Sequence, residues 1–118
     1  MNLLSGKKIL LGISGGIAAY KTPLIVRQLI KHGAEVRVVM TPTSKDFVTP
    51  LTLSTLTKNP VLSSFIATDL DNPIWNDHVE LAMWSDIYLI APATSKTISS
   101  MANGICNNLL LAVYFSSK

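Results

Sequence analysis

Residues 8 to 22, Lys-Ile-Leu-Leu-Gly-Ile-Ser-Gly-Gly-Ile-Ala-Ala-Tyr-Lys-Thr, constrain the fold more than any other stretch of this chain. Ile9, Leu10 and Leu11 form a short apolar run suited to a strand covered on both faces, and Gly12 to Gly16 supply a turn with little side chain. Ile17 onward opens an amphipathic helix, whose first amides and positive dipole end face the space over the glycines. An anionic group suits that space. A P-loop is excluded, because Lys21-Thr22 follow Tyr20, a turn into the helix, where the lysine cannot curl back over phosphates. A dinucleotide fingerprint needs three spaced glycines and a carboxylate ending the second strand to hold a ribose. Here the glycines are Gly12, Gly15 and Gly16, and the second strand, Glu35 to Met40, runs into Thr41-Pro42-Thr43. Hydroxyls at that position suit a phosphate monoester. On this loop alone, a tight strand-to-helix turn with no ligand remains the competing reading.

The pattern continues in the same style. Ala18 to His32 carries Leu24, Ile25, Leu29 and Ile30 at helical spacing, with Pro23 tolerated in the first turns, and His32-Gly33 reads as a helix stop. Glu35 to Met40, joined to the first strand by a helix, is expected to lie parallel to it in a right-handed crossover. Thr41-Pro42-Thr43-Ser44 has helix N-cap chemistry, and Pro50 to Thr57 reads as a short helix ended by Lys58-Asn59-Pro60. Residues 61 to 77 are less regular, and Asp69, Asp71, Asn72 and Pro73 read as a turn, lacking the spacing of a calcium loop. His78 falls near a helix start between Asp77 and Glu80; Asp86 to Ala91 reads as a third core strand. Pro92-Ala93-Thr94-Ser95-Lys96-Thr97 is a third hydroxyl-rich loop, so three capped loops after three parallel strands form a pocket rim. Ile98 to Ala102 and Leu109 to Phe115 read as helices separated at Asn103-Gly104.

A chain of 118 residues is enough for one core and too short for two. Its 48% hydrophobic and 14% charged content predicts surface that meets another surface. A net charge of +3 from scattered basic residues points to neither nucleic acid nor membrane as a partner. The single cysteine, Cys106, excludes an internal disulfide and reads as a small buried residue. With no signal-like segment and no apolar run of about 20 residues, a cytoplasmic location is expected. No metal-ligand cluster is apparent.

Four motifs in order resemble one family: Gly12-Ile-Ser-Gly-Gly-Ile-Ala-Ala-Tyr-Lys; Met40-Thr41 with Phe47 beyond; His78-Val-Glu-Leu with Trp84-Ser-Asp; and Ala91-Pro-Ala-Thr-Ser-Lys-Thr with Asn103-Gly-Ile-Cys-Asn-Asn. Together they resemble the homo-oligomeric flavin-containing cysteine decarboxylases, and most of all the branch acting on phosphopantothenoylcysteine in coenzyme A biosynthesis. The resemblance implies an α/β, flavodoxin-like (Rossmann-type) parallel sheet with helices on both faces, assembled as trimers with FMN at a subunit interface. It implies that residues 1–118 are the FMN-binding flavoprotein domain without its C-terminal portion, which in many bacteria is followed by a fused synthetase domain. Ser14, Gly16 and Thr41 would hold the flavin phosphate region, and Phe47, Thr94, Ser95, Lys96 and Thr97 would flank the cofactor. His78 would be catalytic, with Asp77 or Glu80 orienting its ring, and Asn107 would face the substrate. The family's Pro-x-Met-Asn motif and clamp cysteine lie beyond Lys118, and Cys106 takes neither role. Lys96 and Asn108 stand where relatives commonly carry asparagine or aspartate, and aspartate, respectively. A flavin prenyltransferase-type enzyme and a non-catalytic FMN-binding regulatory relative are the alternative readings.

Overall fold

The fold was obtained as a computed structural model, which describes residues 3–63 and 78–117. The expected turn at Asp69 to Pro73 and the orienting role of Asp77 fall outside the described residues. Four parallel strands form one sheet: β1 (Lys8–Ile13), β2 (Glu35–Met40), β3 (Val61–Leu62) and β4 (Ile87–Ile90), in the order β3-β2-β1-β4. The helices are α1 (Thr22–Lys31), α2 (Pro50–Thr57), α3 (His78–Trp84), α4 (Ser95–Ala102) and α5 (Leu109–Ser116). This is the flavodoxin-like arrangement. β1 is paired along its length with β2, Lys8 opposite Glu35 through Ile13 opposite Met40, and with β4 on its other side. A strand hydrogen-bonded on both edges and covered on both faces has to be apolar throughout, and Ile9, Leu10, Leu11 and Ile13 are all buried.

Alternation along the strands divides the core in two. Ile9, Leu11 and Ile13 join Val36, Val38 and Met40 on one face, packed against Val26 of α1 and Leu53 of α2. Leu10 and Val39 lie on the other face, with Leu81 of α3 and Leu109, Leu110, Leu111 and Val113 of α5. Five consecutive residues of α5, Leu109 to Val113, are buried, which is why its sequence is apolar all round. On β4, Ile87 and Leu89 stay 48% and 38% exposed, so this end of the α1–α2 side is uncovered among the described residues.

Several expectations needed correction. The region after Gly16 begins as a 3-10 turn, Ile17–Lys21, and α1 proper starts only at Thr22. Pro23 is the reason: it has no N–H to give to the Ala19 carbonyl, and the Thr22 hydroxyl donates to that oxygen instead, at 2.7 Å. Pro23 is tolerated as expected, because it stands in the first turn of α1, and it marks where that helix begins. The short β3 was not expected. Two residues, Val61 opposite Val38 and Leu62 opposite Val39, are too few to show a period. Cys106 is exposed, contrary to its reading as a buried residue. It lies in the turn between α4 and α5, and the buried run begins only after Asn108, whose Oδ1 caps α5 by accepting from the Leu111 amide at 2.9 Å. The helix stop is as expected: His32 is the α1 C-cap and Gly33 takes φ 94°, a conformation glycine adopts without strain.

Candidate functional site

All three long strands deliver their chains to the same edge, and backbone hydrogen bonds continue past the sheet into the loops. The Thr41 amide donates to Ile13 O at 3.0 Å, the Ala91 amide to Gly12 O at 2.9 Å, and the Ser14 amide to Pro92 O at 3.3 Å. The loop after β1 is therefore laced to the loops after β2 and β4 before any side chain is considered. Ser14, 1% exposed, adds a further tie: its hydroxyl donates to Pro92 O and accepts from the Thr94 amide at 3.0 Å.

Each flanking loop ends in a hydroxyl cap. Thr41 Oγ1 accepts from the Ser44 amide at 3.3 Å, and the Ser44 hydroxyl donates back to Thr41 O at 2.7 Å, closing a 3-10 turn over Pro42–Asp46. Thr94 Oγ1 accepts from the Thr97 amide at 3.2 Å and so caps α4, the helix whose N-terminus points at this edge. Gly15 is tight against the second loop, since a Cβ there would stand 3.2 Å from Thr43 Cβ. Gly16 has φ 138°, a backbone conformation that residues with a Cβ adopt only under strain.

Between the loops lies an open cavity of about 480 Å³, lined by Gly15, Thr41, Pro42, Thr43, Thr94, Lys96, Thr97, Ser100, Asn107, Asn108 and Leu111. Its size is in the range of small-molecule sites, about 300–1,000 Å³. The described lining offers hydroxyls, carboxamides, loop backbone and the Lys96 ammonium but no carboxylate. That set of donors favours an oxygen-rich anion. Two other hollows, one along β4 beside Asp86 and Tyr88 and one against α1 beside Arg27 and Lys31, lie away from this loop cluster.

Of the residues singled out from sequence, Thr41, Thr94, Lys96, Thr97 and Asn107 line this cavity together. Ser14 lies buried under the rim, and Gly16 sits beside Thr94. Ser95 and the 38% exposed Phe47 are outside the described lining, as is His78, which is partly buried at the start of α3. Gly12 has a different task from its neighbours. A Cβ on it would meet Tyr88 and Leu110 inside the core, so this first glycine serves packing and not the cavity. Ser100 was missed. It follows Thr97 by three residues on α4, and that helical spacing puts both on one face.

No helix among the described residues is long and apolar enough to cross a membrane, and they hold no cluster of potential metal ligands. Comparison with known proteins adds identity to the geometry. The family profile described as "Flavoprotein" matches residues 2–116. The coenzyme A biosynthesis bifunctional protein CoaBC of Vibrio parahaemolyticus is 46% identical over 117 residues, spanning 99% of this chain and 29% of that protein. The protein of the same name from Escherichia coli K12 is 46% identical over 110 residues, or 93% of this chain and 27% of its own length. This chain therefore spans under a third of those relatives. Among solved structures, MrsD from a Bacillus species superposes with a TM-score of 0.83 at 30% identity, covering 99% of this chain and 66% of that one. A mutant PPC decarboxylase complexed with pantothenoylaminoethenethiol gives 0.76 at 28%, covering 95% and 61%. The FMN binding protein AtHal3 gives 0.78 at 29%, covering 95% and 60%. The sheet, the three laced loops and a family profile spanning nearly the whole sequence agree: the chain belongs to the flavoprotein family.

Proposed function

We propose that this chain is the FMN-binding part of an enzyme that decarboxylates phosphopantothenoylcysteine to phosphopantetheine in coenzyme A biosynthesis. The observation that carries the reading is the cavity at the ends of β1, β2 and β4, with its threonine hydroxyls, the capped N-terminus of α4, and Lys96. These residues fit a flavin phosphate: the donor set is that of an anion site, and a Cβ at Gly15 would crowd the Thr43 wall. The names of the relatives support the choice of reaction, CoaBC by sequence and PPC decarboxylase by fold.

When bound, FMN would supply the reversible two-electron acceptor that oxidation of the cysteinyl thiol carbon, and its later reduction, require. The chain's own residues do the rest. Thr41, Thr43 and Thr97 hold the phosphate end by their hydroxyls, Thr94 flanks the cofactor with its amide on Ser14 Oγ and its hydroxyl on Thr97 Oγ1, and Lys96 offsets the phosphate charge. Gly16 lets the backbone approach closely, and Ser95 and Phe47 flank the cofactor. His78 takes the thiol proton as hydride leaves, acting as the general base. Asn107 orients the substrate carboxylate, whose loss as carbon dioxide follows once the neighbouring carbon bears a thioaldehyde.

We place the cofactor at an interface between copies of the chain in a trimer or a multiple of it, with a fused synthetase in the whole protein. The exposed Leu24, Leu51, Met83, Ile87 and Leu89 support the assembly, because apolar side chains of this size gain most from being covered. The test is titration of the purified chain with FMN, followed by flavin fluorescence. Saturable binding at micromolar concentration is expected, and a folded chain that leaves FMN unbound would overturn the proposal.

A further inference from the structure

We propose that Ser14 is a positioning residue, one that builds the third wall of the cavity and makes no contact of its own with the ligand. The inference rests on the proposed flavin reading for its consequence but on geometry for its substance. Ser14 is 1% exposed and sits at the turn out of β1. Its one hydroxyl proton goes to Pro92 O, and one lone pair receives the Thr94 amide at 3.0 Å. Its own amide donates to Pro92 O as well, at 3.3 Å. A hydroxyl has a single proton, so with that proton held by Pro92 it has none to donate to a phosphate oxygen.

What the hydroxyl does reaches the cavity through Thr94. Fixing the Thr94 amide fixes the residue whose Oγ1 caps α4, and so the first turn of the helix that carries Lys96 and Thr97 into the cavity wall. The spacing is covalent and short: Ser14 holds position 94, and the cavity-lining cation is two residues on. Without the hydroxyl, the Thr94 N–H loses its acceptor and Pro92 O loses a donor, both at a part-buried site. The rest of α4 stays tied through its own helical bonds, so the effect concentrates at its N-terminus.

Amide hydrogen exchange on the flavin-free protein tests this. In the unsubstituted chain the Thr94 amide should be protected well beyond the rate of an unstructured amide. In Ser14→Ala it should exchange about tenfold faster, with β1 and β2 amides unchanged, and Ser14→Thr, which keeps a hydroxyl, should restore protection. FMN should then bind Ser14→Ala less tightly. An unprotected Thr94 amide in the unsubstituted chain would overturn the inference without needing any variant to fold. So would a Ser14→Ala protein that loses FMN affinity while its flavin-free exchange stays as before, because that is the behaviour of a direct ligand. The exchange measurements need no flavin, so failure of the flavin reading would show separately, as absent binding with the Thr94 protection intact.

Discussion

Replacing Gly12 with alanine should destabilise the fold by crowding Tyr88 and Leu110. Gly12 lies in β1 opposite Val39 and Ile90, on the face that packs against α5. A Cβ there would stand 2.9 Å from Tyr88 Oη, 3.0 Å from Tyr88 Cε1 and 3.2 Å from Leu110 Cδ1, all inside the 3.4 Å at which ordinary contact begins. Tyr88 cannot yield cheaply, since its hydroxyl donates to Leu110 O at 2.9 Å. Overpacking of this kind costs about 1–3 kcal/mol, and moving the ring off its acceptor adds about 1 kcal/mol. Against this, alanine gains about 0.4–1 kcal/mol by restricting the unfolded chain. The net loss is about 1–3.6 kcal/mol, or roughly 4–14 °C in Tm for a domain of this size. Urea denaturation of Gly12→Ala, Tyr88→Phe and the double variant measures it. Because Tyr88→Phe removes the nearest clashing atom, Gly12→Ala should cost about 1 kcal/mol less in that background, a coupling expected of neighbours in contact. A Gly12→Ala protein as stable as the original, or an equal cost in both backgrounds, would refute the argument that this glycine exists to admit Tyr88.

Three further outcomes follow from the same geometry. Burial raises the Tyr88 pKa above its ordinary value near 10. The folded state therefore favours the neutral phenol, a contribution complete below pH 10 and lost as pH rises above it, by up to about 1.4 kcal/mol per pH unit. Denaturation midpoints of Tyr88→Phe should lack that part of the alkaline decline, and identical pH profiles would contradict it. Thr94→Val and Thr49→Val each remove a cap, on α4 and α2 respectively, and each should cost about 0.5–2 kcal/mol. Only Thr94→Val should weaken FMN in a fluorescence titration; equal weakening by both would detach the α4 cap from the cavity. In a protein extended through the Pro-x-Met-Asn motif and the clamp cysteine, His78→Asn should keep FMN yet lower carbon dioxide release from phosphopantothenoylcysteine by about 10²–10⁴-fold, and full activity in that variant would leave His78 a structural residue of α3.

Much of this architecture is written locally. The apolar run Ile9 to Leu11, the cap residues Thr41 and Thr94, the stop at His32-Gly33 and the bounds of α2 depend on interactions within a few residues, so they are legible in the chain itself. Family membership was legible for the same reason, since four motifs keep their residues and their spacing. Other features exist only once distant segments meet. Gly12 looks like part of a ligand loop until Tyr88 and Leu110, more than 70 residues away, arrive beneath it. Ser14 looks like a phosphate donor until β4 brings up Pro92 and Thr94 to occupy its hydroxyl. Cys106 shares its neighbourhood in sequence with a buried helix, but the Asn108 cap separates the two, and the thiol stays at the surface. The physical difference is range: caps, turns and periodicity are short-range and repeat from protein to protein, while the partner of a hydroxyl or a missing Cβ is decided by which strand lies alongside, and that is a property of the assembled sheet.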